Sequence, residues 1–154
     1  MDLTTSLSRL GQSDPEPSPR ARRLAVALAT RLDAVVPSPW RLRAEGGWVS
    51  RYEGAQWEGS SDVAGILDQV LLPEEGEASA EEWPFPERVV SVALGVLSAT
   101  QDAISEATTE PWPALVGENA RTDGQRVYLW YGPTEATAVL TLPPIDLAEL
   151  HAAG

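Results

Sequence analysis

The sequence predicts an α+β fold: an antiparallel sheet of two hairpins, four to five strands in all, with helices packed on one face. Three observations carry this. The stretch 87–108 is apolar nearly all round at helical spacing, as expected of a long central helix buried on more than one side. Two pairs of alternating segments, 40–45 with 48–53 and 125–131 with 136–142, flank glycine-containing turns and read as hairpins. No strand alternates regularly with a helix, so long parallel crossovers are not expected.

Residues 1–17 read as a flexible N-terminal arm, since the alternating prolines of Asp14-Pro15-Glu16-Pro17-Ser18-Pro19 remove the donors regular structure needs. A short turn of helix is weakly written around Leu3 to Leu10. Residues 18–151 then form one α+β domain. Ser18 followed by Pro19 is a hydroxyl N-cap with proline in the first turn. Leu24, Leu28, Leu32, Val35 and Val36 make an apolar stripe, so a helix is predicted over 19–36, stopped by Pro37 and Pro39.

For the first hairpin, a three-residue loop Glu45-Gly46-Gly47 places Trp40, Leu42, Ala44, Trp48 and Tyr52 on one buried face. Arg41, Arg43, Arg51 and Glu53 then line the outer face. A two-residue loop would set Leu42 opposite Arg51, mixing apolar with charged, and is the less favoured pattern. Gly54-Ala55 turns the chain into a short third strand, Gln56 to Glu58.

Ser60-Ser61 caps a second helix through Val63, Ile66, Leu67, Val70 and Leu71, ended by Pro73. An acidic loop with Glu74, Glu75, Glu77, Glu81 and Glu82 follows, and Trp83-Pro84-Phe85-Pro86 leads into the central helix. Beyond that helix, 114–124 reads as irregular. In the second hairpin Val127, Leu129 and Tyr131 share the inner face, so Tyr128 and Trp130 point outward. Pro143-Pro144 ends the sheet, and Ile145-Asp146 stages a short last helix.

Composition narrows the function. With no cysteine, disulfides and thiolate metal sites are excluded, and the single histidine, His151, gives no base for a multi-histidine site. The net charge of −12 opposes binding to nucleic acid and to anionic membranes. All 11 basic residues are arginine, which fits a GC-rich, bacterial coding background. Eight of them lie in the first third; thirteen carboxylates against the lone Arg88 lie between Glu53 and Glu110. No basic leader and no bilayer-length apolar run is visible, so a soluble, cytoplasmic protein is expected. There is no G-x-S-x-G, no S-x-x-K, no phosphate loop and no cofactor fingerprint.

Three constellations remain. Asp102, Glu106 and Glu110 share the end of the central helix and would suit a hard cation or an acid–base pair, or simply a solvated last turn. The acidic loop 74–82 lacks the spacing of a calcium loop. Six tryptophans against one phenylalanine suggest a contact surface, and Arg41, Arg43, Arg51, Arg126, Tyr128 and Trp130 are the residues expected to form it. The leading expectation is a non-enzymatic adaptor or chaperone-like protein that holds a protein partner on its sheet, with a homodimer allowed and no cofactor. The alternatives are metal-binding or hydrolytic chemistry at Asp102 and Glu106, or a small-ligand pocket between sheet and central helix, where Gly95 leaves room or permits close packing.

Overall fold

In a computed structural model, residues 16–68 and 84–151 are described. The expected helical turn at Leu3 to Leu10, most of the N-terminal arm, Val70, Leu71, the 74–82 loop and Trp83 lie outside them. The fold is α+β, with a correction to the sheet. The described residues hold six strands in two separate three-stranded antiparallel sheets, ordered β1-β2-β3 and β4-β5-β6.

Helix α1 (Pro19–Asp33) begins as its sequence dictates, with Ser18 Oγ accepting from the Ala21 N–H at 3.0 Å. The Ser18 hydroxyl and backbone N–H are in turn donated to the Asp68 carboxylate, at 2.6 and 2.8 Å. The helix ends at Asp33, short of the expected Val36, because Pro37 forbids continuation. Leu24, Leu28 and Leu32 are fully buried, each worth roughly 1.5–3 kcal/mol of transfer free energy.

Strands β1 (Trp40–Glu45), β2 (Trp48–Glu53) and β3 (Gln56–Asp62) form the N-terminal sheet. The β1–β2 register is the one the apolar pattern disfavoured: Ala44 faces Val49, Leu42 faces Arg51 and Trp40 faces Glu53. A two-residue loop therefore joins them, with Gly46 at φ +65°, where glycine is unstrained. A register change of this kind sends side chains to opposite faces. Val49 takes the buried place expected for Trp48, and Arg51 turns inward. Two devices accommodate that guanidinium. Gly59 leaves it space, since a Cβ there would lie 2.9 Å from its terminal nitrogen, and Ser61 Oγ accepts from it at 2.7 Å. Ser60 and Ser61 belong to β3, so the second helix is only α2 (Ala64–Leu67), with Asp62 accepting from the Gly65 N–H.

Helix α3 (Phe85–Thr108) is the central helix, burying Val89, Val92, Ala93, Val96, Leu97, Thr100 and Ile104. It packs against α1, α2 and strands of both sheets, as its nearly continuous apolar surface requires. Gly95 is exposed, and a Cβ there would meet nothing within 4 Å. Among the described residues it therefore neither opens a ligand cavity against the sheet nor permits a close helix contact. The helix stops at Thr109, which takes the left-handed conformation at φ 59°. That conformation favours glycine. Thr109→Gly is expected to raise stability by about 0.5–1 kcal/mol, readable as a higher urea midpoint.

The C-terminal sheet comprises β4 (Glu118–Thr122), β5 (Arg126–Tyr131) and β6 (Leu140–Asp146). The β4 strand replaces the expected irregular segment, and β6 starts later than Ala136 and runs through Pro143-Pro144 rather than ending there. Prolines are tolerated because β6 is an edge strand whose pairing with β5 is irregular opposite them. Tyr131 fastens this sheet to α3: its hydroxyl is donated to the Leu97 carbonyl at 2.7 Å, and its ring meets Trp112 edge-on at 5.5 Å. Helix α4 (Leu147–Leu150) follows, capped by Asp146, whose carboxylate accepts from the Ala148 N–H at 3.0 Å.

The end of α1 closes margins of both sheets. Asp33 accepts from the backbone N–H of Leu42 on β1 at 2.9 Å. Arg31 donates to the carbonyls of Pro143 and Pro144 on β6, at 2.8 and 2.9 Å.

Candidate partner-binding surface

With the register settled, alternation puts Arg41, Arg43, Glu45, Trp48, Ser50 and Tyr52 on the outer face of the N-terminal sheet. Strand β3 adds Trp57, opposite Tyr52, and Ser60, opposite Ser50. Helix α1 lies against the other face, where Trp40, Leu42 and Val49 are buried. Trp48 is 47% exposed and Trp57 is 59% exposed. These are large apolar groups left in water on one sheet face, and such surface usually marks contact.

Tyr52 and Trp57 are held in place. Glu45 accepts from Ser50 Oγ at 2.6 Å and from the Tyr52 hydroxyl at 2.8 Å. Ser50 and Ser60 hydroxyls share a 2.8 Å hydrogen bond, and the Trp57 indole N–H is donated to Ser60 Oγ at 3.0 Å. One chain of hydrogen bonds thus crosses all three strands. The Ser50 and then the Tyr52 hydroxyl bonds hold the Glu45 carboxyl below its usual range, and the same Glu45 bond raises the Tyr52 phenol. The Arg43 guanidinium sits 5.3 Å from the Tyr52 ring centre, within cation–π reach. Arg41 pairs with Asp33 through two nitrogens, at 2.9 and 3.2 Å; that hydrogen bonding chiefly lowers the Asp33 carboxyl and raises Arg41.

The other expected site residues are dispersed. Arg51 is on the inner face and only 7% exposed, and burial lowers its guanidinium. Arg126 and Tyr128 lie on the other sheet, with no strand of one sheet hydrogen-bonded to the other. Arg126 is exposed. Tyr128 is half-buried, beneath the Arg121 guanidinium at 4.2 Å, with its hydroxyl donated to Asp123 at 3.1 Å. Trp130, expected to face outward into solvent, is 7% exposed, its indole folded back to donate to the Gly132 carbonyl at 3.1 Å. The two hairpins therefore do not present one joint aromatic–arginine surface. Of the six residues expected to form it, Arg41 and Arg43 share the outer face with the exposed tryptophans.

Trp48, Tyr52 and Trp57 are the residues sequence reasoning missed in this role. The available signal was Gly46-Gly47 itself, a favoured pair for a two-residue hairpin.

Asp102, Glu106 and Glu110 are all exposed. Asp102 and Glu110 border a shallow cleft of about 390 Å³, lined also by Ala114 and Val116. Among the described residues, no group of three or more histidine, cysteine, aspartate or glutamate side chains is placed to hold a metal ion. No described helix is long and apolar enough to cross a membrane. Set against protein-family models, curated proteins and solved structures, the chain finds no match in any of the three.

Proposed function

We propose that the protein is a non-enzymatic, protein-binding adaptor of the chaperone-like, holding kind, and that it takes its partner on the outer face of the N-terminal sheet. The observation that supports this most is the pair of exposed tryptophans, Trp48 and Trp57, on a face braced by the Glu45–Ser50–Ser60–Trp57 hydrogen bonds. Trp57 is fixed by its bond to Ser60, tryptophan has few rotamers to lose when covered, and buried tryptophans dominate binding energy at protein interfaces. Arg43, stacked on Tyr52, adds a charged rim.

The test is affinity capture from the native host with wild-type protein and the Trp48→Ala/Trp57→Ala variant, with light scattering to read the oligomeric state. Wild type is expected to retain one protein specifically, and the double variant to bind it at least about tenfold more weakly with an unchanged thermal midpoint. A second copy of this chain as the occupant would appear as a wild-type dimer that the variant dissociates. If neither capture nor self-association responds to the two substitutions, the reading is wrong.

A further inference from the structure

A second surface differs in place and chemistry. Between α1 and α4 runs an open groove of about 420 Å³, bordered by Arg22, Arg23, Arg31, Val26, Leu150 and Glu149 among others. Val26 is 53% exposed there, on the turn between the arginines. In a chain of net charge −12 with 11 basic residues, three of them meet in this one groove.

Among the described residues, backbone carbonyls orient Arg23 and Arg31, while Arg22 pairs with a carboxylate. Arg23 donates to the Leu150 carbonyl at 3.1 Å, and Arg31 donates to the carbonyls of Pro143, Ala27 and Pro144. Burial lowers the Arg31 guanidinium, and Glu149 offsets this only in part. Arg22 holds Glu16 at 2.9 Å in an exposed pair, of the kind an incoming carboxylate replaces at little cost. Guanidinium groups fixed by neutral acceptors keep donors free for a carboxylate.

We infer that this groove is a second docking site, and that its occupant is a short acidic segment of a protein partner with an apolar residue between two carboxylates. The spacing follows from the helix. Arg22 and Arg31 stand nine positions apart, roughly 13 Å along the helix axis, and two and a half turns put them on opposite rims of the groove, with Arg23 and Val26 between them. An extended chain covers that in about four residues. A Glu-Ser-Leu-Ser-Glu segment therefore sets one carboxylate at Arg22 and Arg23, the other at Arg31, and leucine on Val26. The site does not depend on the tryptophan face, and charge complementarity selects its occupant from an otherwise acidic, self-repelling surface.

The experiment is an NMR titration of the ¹⁵N-labelled full chain with the peptide Gly-Glu-Ser-Leu-Ser-Glu-Gly, terminally blocked, and with its analogue carrying glutamine for both glutamates. Saturable shifts confined to 22–31 and 147–150 are expected, with a dissociation constant below about 1 mM, weakening by about tenfold between 0.05 and 0.5 M salt. The exposed substitutions Arg22→Glu and Val26→Asp, which leave the backbone hydrogen bonds of Arg23 and Arg31 in place, are each expected to weaken binding by about tenfold. The Trp48→Ala/Trp57→Ala variant is expected to bind the peptide as wild type does, which keeps this site's fate separate from that of the sheet face. Absence of saturation, shifts mapping elsewhere, equal binding of the glutamine analogue, or indifference to either groove substitution each overturn the inference.

Discussion

Replacing Gly132 with alanine is expected to cost about 2–6 kcal/mol, from left-handed backbone strain together with overpacking. Gly132 sits at φ +140°, and an added Cβ would stand 2.7 Å from the Ala138 Cα and 3.1 Å from the Val139 nitrogen. Both are backbone atoms, so no side-chain rotation relieves the clash. The same residue anchors three hydrogen bonds: its N–H is donated to the Gly117 carbonyl, and its own carbonyl accepts from the Asn119 amide and the Trp130 indole. Shifting it loosens the base of the 132–139 loop and exposes Trp130. Urea unfolding checks the stability, and a red-shifted native fluorescence spectrum checks the tryptophan. A loss below about 0.5 kcal/mol, the range of ordinary surface substitutions, would sink this account.

Tyr131 carries the second large effect. Its side chain is fully buried and bonded to the Leu97 carbonyl. Tyr131→Ala is expected to cost about 3–5 kcal/mol through the cavity left behind, and Tyr131→Phe about 1–2 kcal/mol through the lost hydrogen bond. The two variants separate packing from polarity. Burial also pushes the Tyr131 phenol far above its ordinary value, with smaller contributions from Glu118 and Asp102. Because the folded state favours the neutral form, the stability tied to this group is complete below the unfolded pKa near 10. It is lost as pH rises beyond that, when the unfolded chain releases the proton and the native one holds it. Wild type should therefore lose stability from about pH 10 upward more steeply than Tyr131→Phe. Parallel profiles would show that the phenol titrates normally in the native state.

Three of the four described helices were legible because their signals are local, whereas Ser60-Ser61, expected to cap the second, lie in β3. Ser18-Pro19 and Asp146 cap what they are expected to cap, and the apolar run of α3 leaves it no place but the centre. The strands were less so. Nothing in Glu118-Asn119-Ala120-Arg121-Thr122 alternates apolar with polar, and β4 forms because β5 and α3 supply its partners. The first hairpin shows the limit most sharply. Keeping arginine out of the interior is a sound rule for an isolated ladder, yet Gly59 and Ser61 on the third strand make room for Arg51. That one non-local accommodation reversed the faces, buried a residue expected outside and brought out Trp48 and Tyr52. The site was thus half written in the sequence. Its arginines Arg41 and Arg43 were readable from alternation alone, whereas its tryptophans needed the register.

The margins closed by α1 decide how the sheets can be extended. A visiting strand needs a row of unpaired donors and acceptors. On β1 the Leu42 donor is already spent on Asp33, and on β6 the ring nitrogens of Pro143 and Pro144 carry no hydrogen while their oxygens are held by Arg31. Recruitment of a neighbour's backbone, whether in a swapped pair or in runaway stacking of copies, is thereby steered to the opposite borders, β3 and β4. Two charged residues, two positions apart in the last turn of one helix, occupy backbone groups on an edge strand of each sheet.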